Sequence, residues 1–164
     1  MSLKAAILES WDRQATIINN VAALIQPDQF DWVVAEGEWP IVEHLCHIHG
    51  TRRFWMKEIS PDYLVGLKRL VEEKGDDWVP IRDIDLIREQ LSASAIKIRE
   101  IMDELLDDPK QAGPYDHPLY FQQHMIWHEG WHTSSIMAAL RVNGQEPTEE
   151  WEEPNIWGLW RTEE

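Results

Sequence analysis

Apolar side chains return every three or four residues through four separate stretches of this chain, the spacing of buried helix faces. The first stretch carries Leu3, Ile7, Trp11, Ile18, Val21 and Ile25, with Leu24 beside them, and Ser2 is placed to cap it. Pro27 ends it, and residues 28–39, with Gly37 and scattered acids, read as a loop. Pro40 suits the first position of a second helix, whose apolar face is Ile41, Leu45, Ile48, Trp55 and Ile59. His47, Thr51 and Phe54 share an adjoining strip, and Glu43, Gly50, Arg53 and Lys57 lie on the far side. Ser60-Pro61 predicts a short helix running to about Lys74, closed by Gly75. Asp83 caps the next long segment, in which Ile84, Ile87, Leu91, Ile98, Ile101 and Leu105 keep helical spacing. Pro109, Gly113 and Pro114 mark a loop, Pro118 opens the last long helix, and Asn143-Gly144 closes it.

No run alternates with period two for long enough to predict a sheet. The tail beyond Pro147 is acidic but carries Trp151, Trp157 and Trp160, so it is expected to fold back on the body. The predicted architecture is all-α: one domain over residues 1–164, a four-helix bundle with a short additional helix between the second and third long helices.

Charge narrows the function classes. Lys and Arg total 15 against 30 Asp and Glu, a net charge of −15. Such a surface repels phosphate backbones and anionic lipid, which argues against nucleic-acid or membrane partners. The single cysteine, Cys46, excludes an internal disulfide and fits a reducing, cytoplasmic compartment. The N-terminal turns are broken by Lys4, Glu9, Asp12 and Arg13, so neither a signal peptide nor a membrane span is expected there.

The chemistry concentrates in the last long helix. Phe121, Met125, His128, His132, Ser135, Ile136 and Ala139 fall on one face, with the two histidines near its middle. The opposite side still carries Ile126, Met137 and Leu140, so this helix is predicted to lie centrally in the bundle or under a partner. His128 and His132 then project inward, where an unpartnered imidazole costs roughly 1–3 kcal/mol. An i,i+4 pair of neutral imidazoles on one rigid helix can share a divalent ion, and bundle cores are frequent hosts of such sites. The alternative is that each histidine bonds a core carboxylate or carbonyl. A third ligand would come from the second helix, where periodicity ranks His47 and His44 close together and sets His49 toward the opposite edge.

Two segments carry a family resemblance. EHLCHIHGTRRFW, residues 43–55, has His47 followed by the aromatic pair Phe54 and Trp55. HEGWHTSSI, residues 128–136, has the histidine pair followed by small residues. Together, in this order and with the closing ALRVNG, they resemble the DinB/YfiT-like family of small metal-binding helical proteins. The departures are Ser135, where that family commonly has glutamine, and Trp131, where a further histidine is often found. The resemblance implies a three-histidine site, His47, His128 and His132, holding a divalent ion (zinc, nickel or iron) partly open to solvent. It further implies a small-molecule substrate, with relatives that include S-transferases using low-molecular-weight thiols. On that reading the chain is a metal-dependent enzyme.

Two rivals stand beside it. His128-Glu129-Gly130-Trp131-His132 also spells H-E-x-x-H, the zinc hydrolase pattern with the glutamate as general base. It lacks a further acidic ligand on a downstream helix, and the metzincin extension fails at Ser135. The other rival is a non-catalytic metal- or ligand-binding helical homodimer, with Trp127 and Trp131 packing against another helix or a twin subunit. Glu129 is open to three roles, a partner of the ligands, a base or a solvated acid; His124 ranks as a weak extra ligand, and Cys46 as a packing residue.

Overall fold

The computed structural model describes residues 1–75, 77–109 and 112–161. Its frame is four long helices: α1 (Leu3–Leu24), α2 (Ile41–Ile59), α3 (Ile84–Asp107) and α4 (Pro118–Val142). Their ends form where local chemistry predicts. The Ser2 hydroxyl accepts from the Ala5 N–H at 3.1 Å. The Asp83 carboxylate accepts from the Asp85 and Leu86 N–H groups, and Pro118 is the first residue of α4. Gly144 closes α4 at φ +78°, a backbone conformation that glycine adopts without a Cβ clash. Pro40 falls one residue outside the prediction, as the cap of α2 rather than its first residue.

The helices pack in a ring, each of α1 and α2 lying against both α3 and α4. Two apolar clusters fill it. One joins Val21, Ile25, Ile41, Leu45, Ile87, Leu91, Ile136 and Leu140. The other joins Trp11, Met56, Ile98, Met102, Phe121 and Met125. The start of α2 and the start of α3 therefore lie at the same end of the bundle, while α1 and α4 run the opposite way. The links between α1 and α2 (residues 25–40) and between α3 and α4 each turn the chain at a single end of the bundle. The link from α2 to α3 must instead return along the length of the bundle.

That return changes one expectation. The predicted short helix from Ser60 to Lys74 is only a helical turn at Pro61–Leu64, followed by an antiparallel hairpin of β1 (Val71–Lys74) and β2 (Asp77–Pro80). The strands escape a period-two search because they are four residues each and mostly exposed on both faces. The hairpin is fixed through Leu70, buried in the first cluster, and through the Lys68 carbonyl, 2.8 Å from His49 Nε2.

Between the two apolar clusters lies a polar layer to which all four helices contribute. Arg52 and Glu129, each about 1% exposed, form a fork-to-fork ion pair. Arg52 Nε donates to Glu129 Oε1 at 2.6 Å and Nη2 to Oε2 at 3.0 Å. Arg52 Nη1 donates to the Leu91 carbonyl at 2.7 Å and to Ser94 Oγ at 3.2 Å. Gln14 Nε2 donates to Glu129 Oε2 at 3.2 Å, and the Trp11 ring lies 5.2 Å from the guanidinium. Both charges thus replace their lost hydration with several hydrogen bonds each, the condition under which a buried pair is tolerated.

The tail folds back as expected. A short α5 (Glu149–Glu152) leads into tight turns through Trp160. Ile156 is buried, Trp151 and Leu159 pack on the first cluster, and Arg13 donates to the Leu159 carbonyl at 2.7 Å. Among the described residues no helix is long and apolar enough to cross a membrane.

Removing one charge from the pair strands the other. Glu129→Gln is expected to lower the unfolding free energy in urea by about 3–5 kcal/mol. A loss below about 1 kcal/mol, the range of an exposed ion pair, would contradict this packing.

Candidate metal centre

The face of α4 that meets α2 presents His128 and His132 one turn apart, and α2 presents His44 and His47 opposite them. The Nε2 atoms converge: His47 Nε2 lies 3.2 Å from His128 Nε2, and His132 Nε2 lies 3.1 Å from the same atom. All three ligand atoms fall within 4.8 Å of one another. Imidazole nitrogens at 2.0–2.1 Å from a tetrahedral ion are about 3.3 Å apart, so the spacing is that of ligands around one centre.

Proton counting points the same way. The Nε2 of His128 faces two other Nε2 atoms, and a neutral imidazole N–H donates to only one of them. Hydrogen bonding within the cluster cannot satisfy this set of nitrogens, whereas a cation placed between them would engage all three lone pairs. The residues present fit a divalent ion.

The surroundings keep the rings neutral and oriented. His132 Nδ1 lies 2.8 Å from His44 Nδ1, so a His132 that offers Nε2 to a metal donates its Nδ1 proton to His44. His44 in turn hydrogen-bonds the Trp39 backbone. Such outer partners fix the tautomer and orientation of a ligand. The Trp39 ring, 44% exposed, stacks 5.9 Å from His132 at an interplanar angle of 14° and sets its edge to His47 at 5.0 Å. Thr51 Oγ1 completes the rim, 3.3 Å from His47 Nε2 and 3.4 Å from His128 Nε2.

Burial, reinforced by the neighbouring imidazoles, holds His128 down at about 4 and His132 at about 3. Burial alone lowers His47. All three are therefore neutral at pH 7, the state that ligates.

His47, His128 and His132 are thus brought together as the resemblance implied. His44 stands behind His132 as its hydrogen-bond partner. His49, expected toward the opposite edge, is fully buried beneath the crossover. His124 turns away, its Nδ1 2.8 Å from the Tyr115 hydroxyl. Cys46 is buried and its thiol is pushed up to about 12, mainly by burial, which makes it a packing residue.

Glu129 fills none of the three roles left open to it. It is fully buried, and both its oxygens are engaged by Arg52 and Gln14 in the bundle interior. A general base must reach a proton at the reaction centre, so the H-E-x-x-H string here does not describe a zinc hydrolase. Trp39 brings the 28–39 loop to the rim of the site, and Thr51 stands there at i+4 from His47; a loop tryptophan has no periodicity from which its contacts could be assigned.

A helical bundle with three histidines of two neighbouring helices placed to bind one metal ion defines the class. The family signature of the DinB superfamily matches residues 10–136, and the chain belongs to that superfamily. Comparison with curated proteins found no match, and comparison with solved structures found none either.

Imidazoles held neutral by folding give the metal-free protein a definite pH dependence. Their folded pKa values lie below the unfolded value near 6.5, so their favourable contribution is complete above pH 6.5 and is lost as pH falls from there toward about 3. The urea midpoint of metal-free protein is expected to drop between pH 7 and pH 5, and His132→Gln to drop less. An equal drop in the variant would contradict the buried, neutral assignment.

Proposed function

We propose that this protein is a metal-dependent enzyme that joins a low-molecular-weight thiol to a small electrophile. The observation that carries the reading is the convergence of three neutral Nε2 atoms at a rim where His47 is only half buried. A divalent ion with three imidazoles and an open position supplies Lewis acidity, stabilising a thiolate at neutral pH.

The chain's own residues supply the rest. His44 holds His132 in the tautomer that presents Nε2. Trp39 screens the ligands from bulk water on one side. The Thr51 hydroxyl, within hydrogen-bond reach of two ligand nitrogens, is placed to orient a polar group entering the open position. In the reaction the thiol proton leaves to solvent, a sulfur–carbon bond forms, and the carbon's leaving group departs with its electron pair. Imidazole suits zinc, nickel and iron alike. The single cysteine fits a reducing, cytoplasmic setting. A twin subunit is the partner that suits the exposed Trp127 and Trp131 on the outer face of α4.

Metal analysis of untagged protein tests the site. Wild type is expected to hold about one divalent ion per chain, with His128→Ala and His47→Ala falling to a small fraction and His124→Ala unchanged. An ion content indifferent to His128→Ala would remove the site. For the chemistry, metal-loaded protein is mixed with candidate thiols and monochlorobimane, from which thiol displaces chloride. The expected result is conjugation at least about tenfold faster than with His132→Ala; equal rates with every thiol would remove the transferase reading.

A further inference from the structure

The crossover that returns the chain from α2 to α3 does not lie flat on α2. It leaves a groove of about 930 Å³ along the outer face of that helix, and His47 and Thr51 of the metal centre line it. The volume is that of a small-molecule site. Three features of the groove select its occupant.

Its walls are aromatic and exposed. Phe54 is 55% and Trp78 64% exposed, and Trp55 lines the groove with them. Its far end is cationic. In this strongly acidic chain nearly every described lysine and arginine has a carboxylate partner, and Arg53, Lys57 and Lys68 are the described exceptions. Two of those three, Arg53 and Lys57, line the groove. Arg53 is held there by donating to the Leu67 carbonyl. Arg69 adds a third cation, paired with Glu73 at 2.8 Å and lying 5.0 Å from the Trp78 ring.

The floor is bare. Gly50 sits in the interior of α2, where glycine is the poorest helix former after proline. A Cβ built on it meets nothing within 4 Å, so no packing within the protein explains the missing side chain. It lies between the histidine end and the cationic end, where a side chain would project into the groove.

We infer that the groove binds a small amphipathic anion: an aromatic or branched apolar body resting over Gly50 between Phe54 and Trp78, with a carboxylate, sulfonate or phosphate held by Arg53 and Lys57. At 1.5 Å per residue, Arg53 stands about 9 Å and Lys57 about 15 Å along α2 from His47. That span sets the distance between the anionic group and the atom presented to the histidines. The inference names the substrate class of the proposed enzyme and rests on that reading for the histidine end alone; the anion end and the floor stand on their own.

The test uses two fluorescent probes, the anion 8-anilinonaphthalene-1-sulfonate and the neutral N-phenyl-1-naphthylamine, titrated into metal-free and metal-loaded full-length protein. Two variants leave the core untouched, Lys57→Glu at an exposed position and Gly50→Leu, which favours the helix. The anionic probe is expected to bind wild type saturably at low salt. Lys57→Glu should weaken it roughly tenfold while moving the neutral probe less than about twofold. Gly50→Leu should weaken both by about tenfold or more. Anion affinity unchanged in both variants, or both probes shifted alike by Lys57→Glu, would overturn the inference. Because probe binding requires neither metal nor turnover, selective binding by a protein that takes up no ion would overturn the metal reading and leave the groove. Normal ion content with unselective binding would do the reverse.

Discussion

The buried pair of Arg52 and Glu129 is the constraint around which the bundle is arranged. Two charges removed from water are tolerable only where every donor and acceptor finds a partner. Here those partners come from all four helices: Gln14 and Trp11 from α1, Leu91 and Ser94 from α3, and the two charges themselves from α2 and α4. Sliding or rotating any one helix would break hydrogen bonds that an apolar core would simply repack. The layer therefore helps to fix the register of the helices, together with the hydrogen bonds of Trp11 Nε1 to the Ala95 carbonyl and of Gln122 Nε2 to the Ile7 carbonyl.

That register sets the three-histidine cluster that could hold a metal ion. His128 precedes Glu129 in α4, and neighbouring helix positions point about 100° apart. With Glu129 locked inward, His128 and His132 face α2. Arg52 does the same for α2, locked inward one residue beyond Thr51 and five beyond His47. The glutamate of the H-E-x-x-H string thus points into the core, where Arg52 and Gln14 engage it, while the two histidines face α2. The crossover connection supplies the rest, because two helices starting at one end of a bundle require a return strand, and the return strand makes one wall of the groove.

Much of this was legible in the sequence. Helix spans followed from apolar periodicity and from end signals at Ser2, Asp83, Pro118 and Gly144, all of them local. The candidate pair His128 and His132 was marked by i,i+4 spacing on an apolar face, while His47 needed the family resemblance, since His44 lies on the same flank. The hairpin was hidden because its short, exposed strands lack any alternation to detect. Arg52 and Glu129 were visible in principle. Each occupies a position where the apolar register of its helix calls for a hydrophobic residue, and opposite charges in the core positions of two neighbouring helices are a signal for a buried pair. Trp39 and the groove depend on how loops cross helices, which no periodicity encodes.

X-ray absorption at the zinc edge of untagged, zinc-loaded protein tests the central claim most directly, because it counts the imidazoles on the ion. Three histidines converging on one centre predict a first shell of three imidazole nitrogens at about 2.0–2.1 Å, completed by an exchangeable water. A shell with only one or two imidazoles, or one dominated by carboxylate oxygens, would contradict the account.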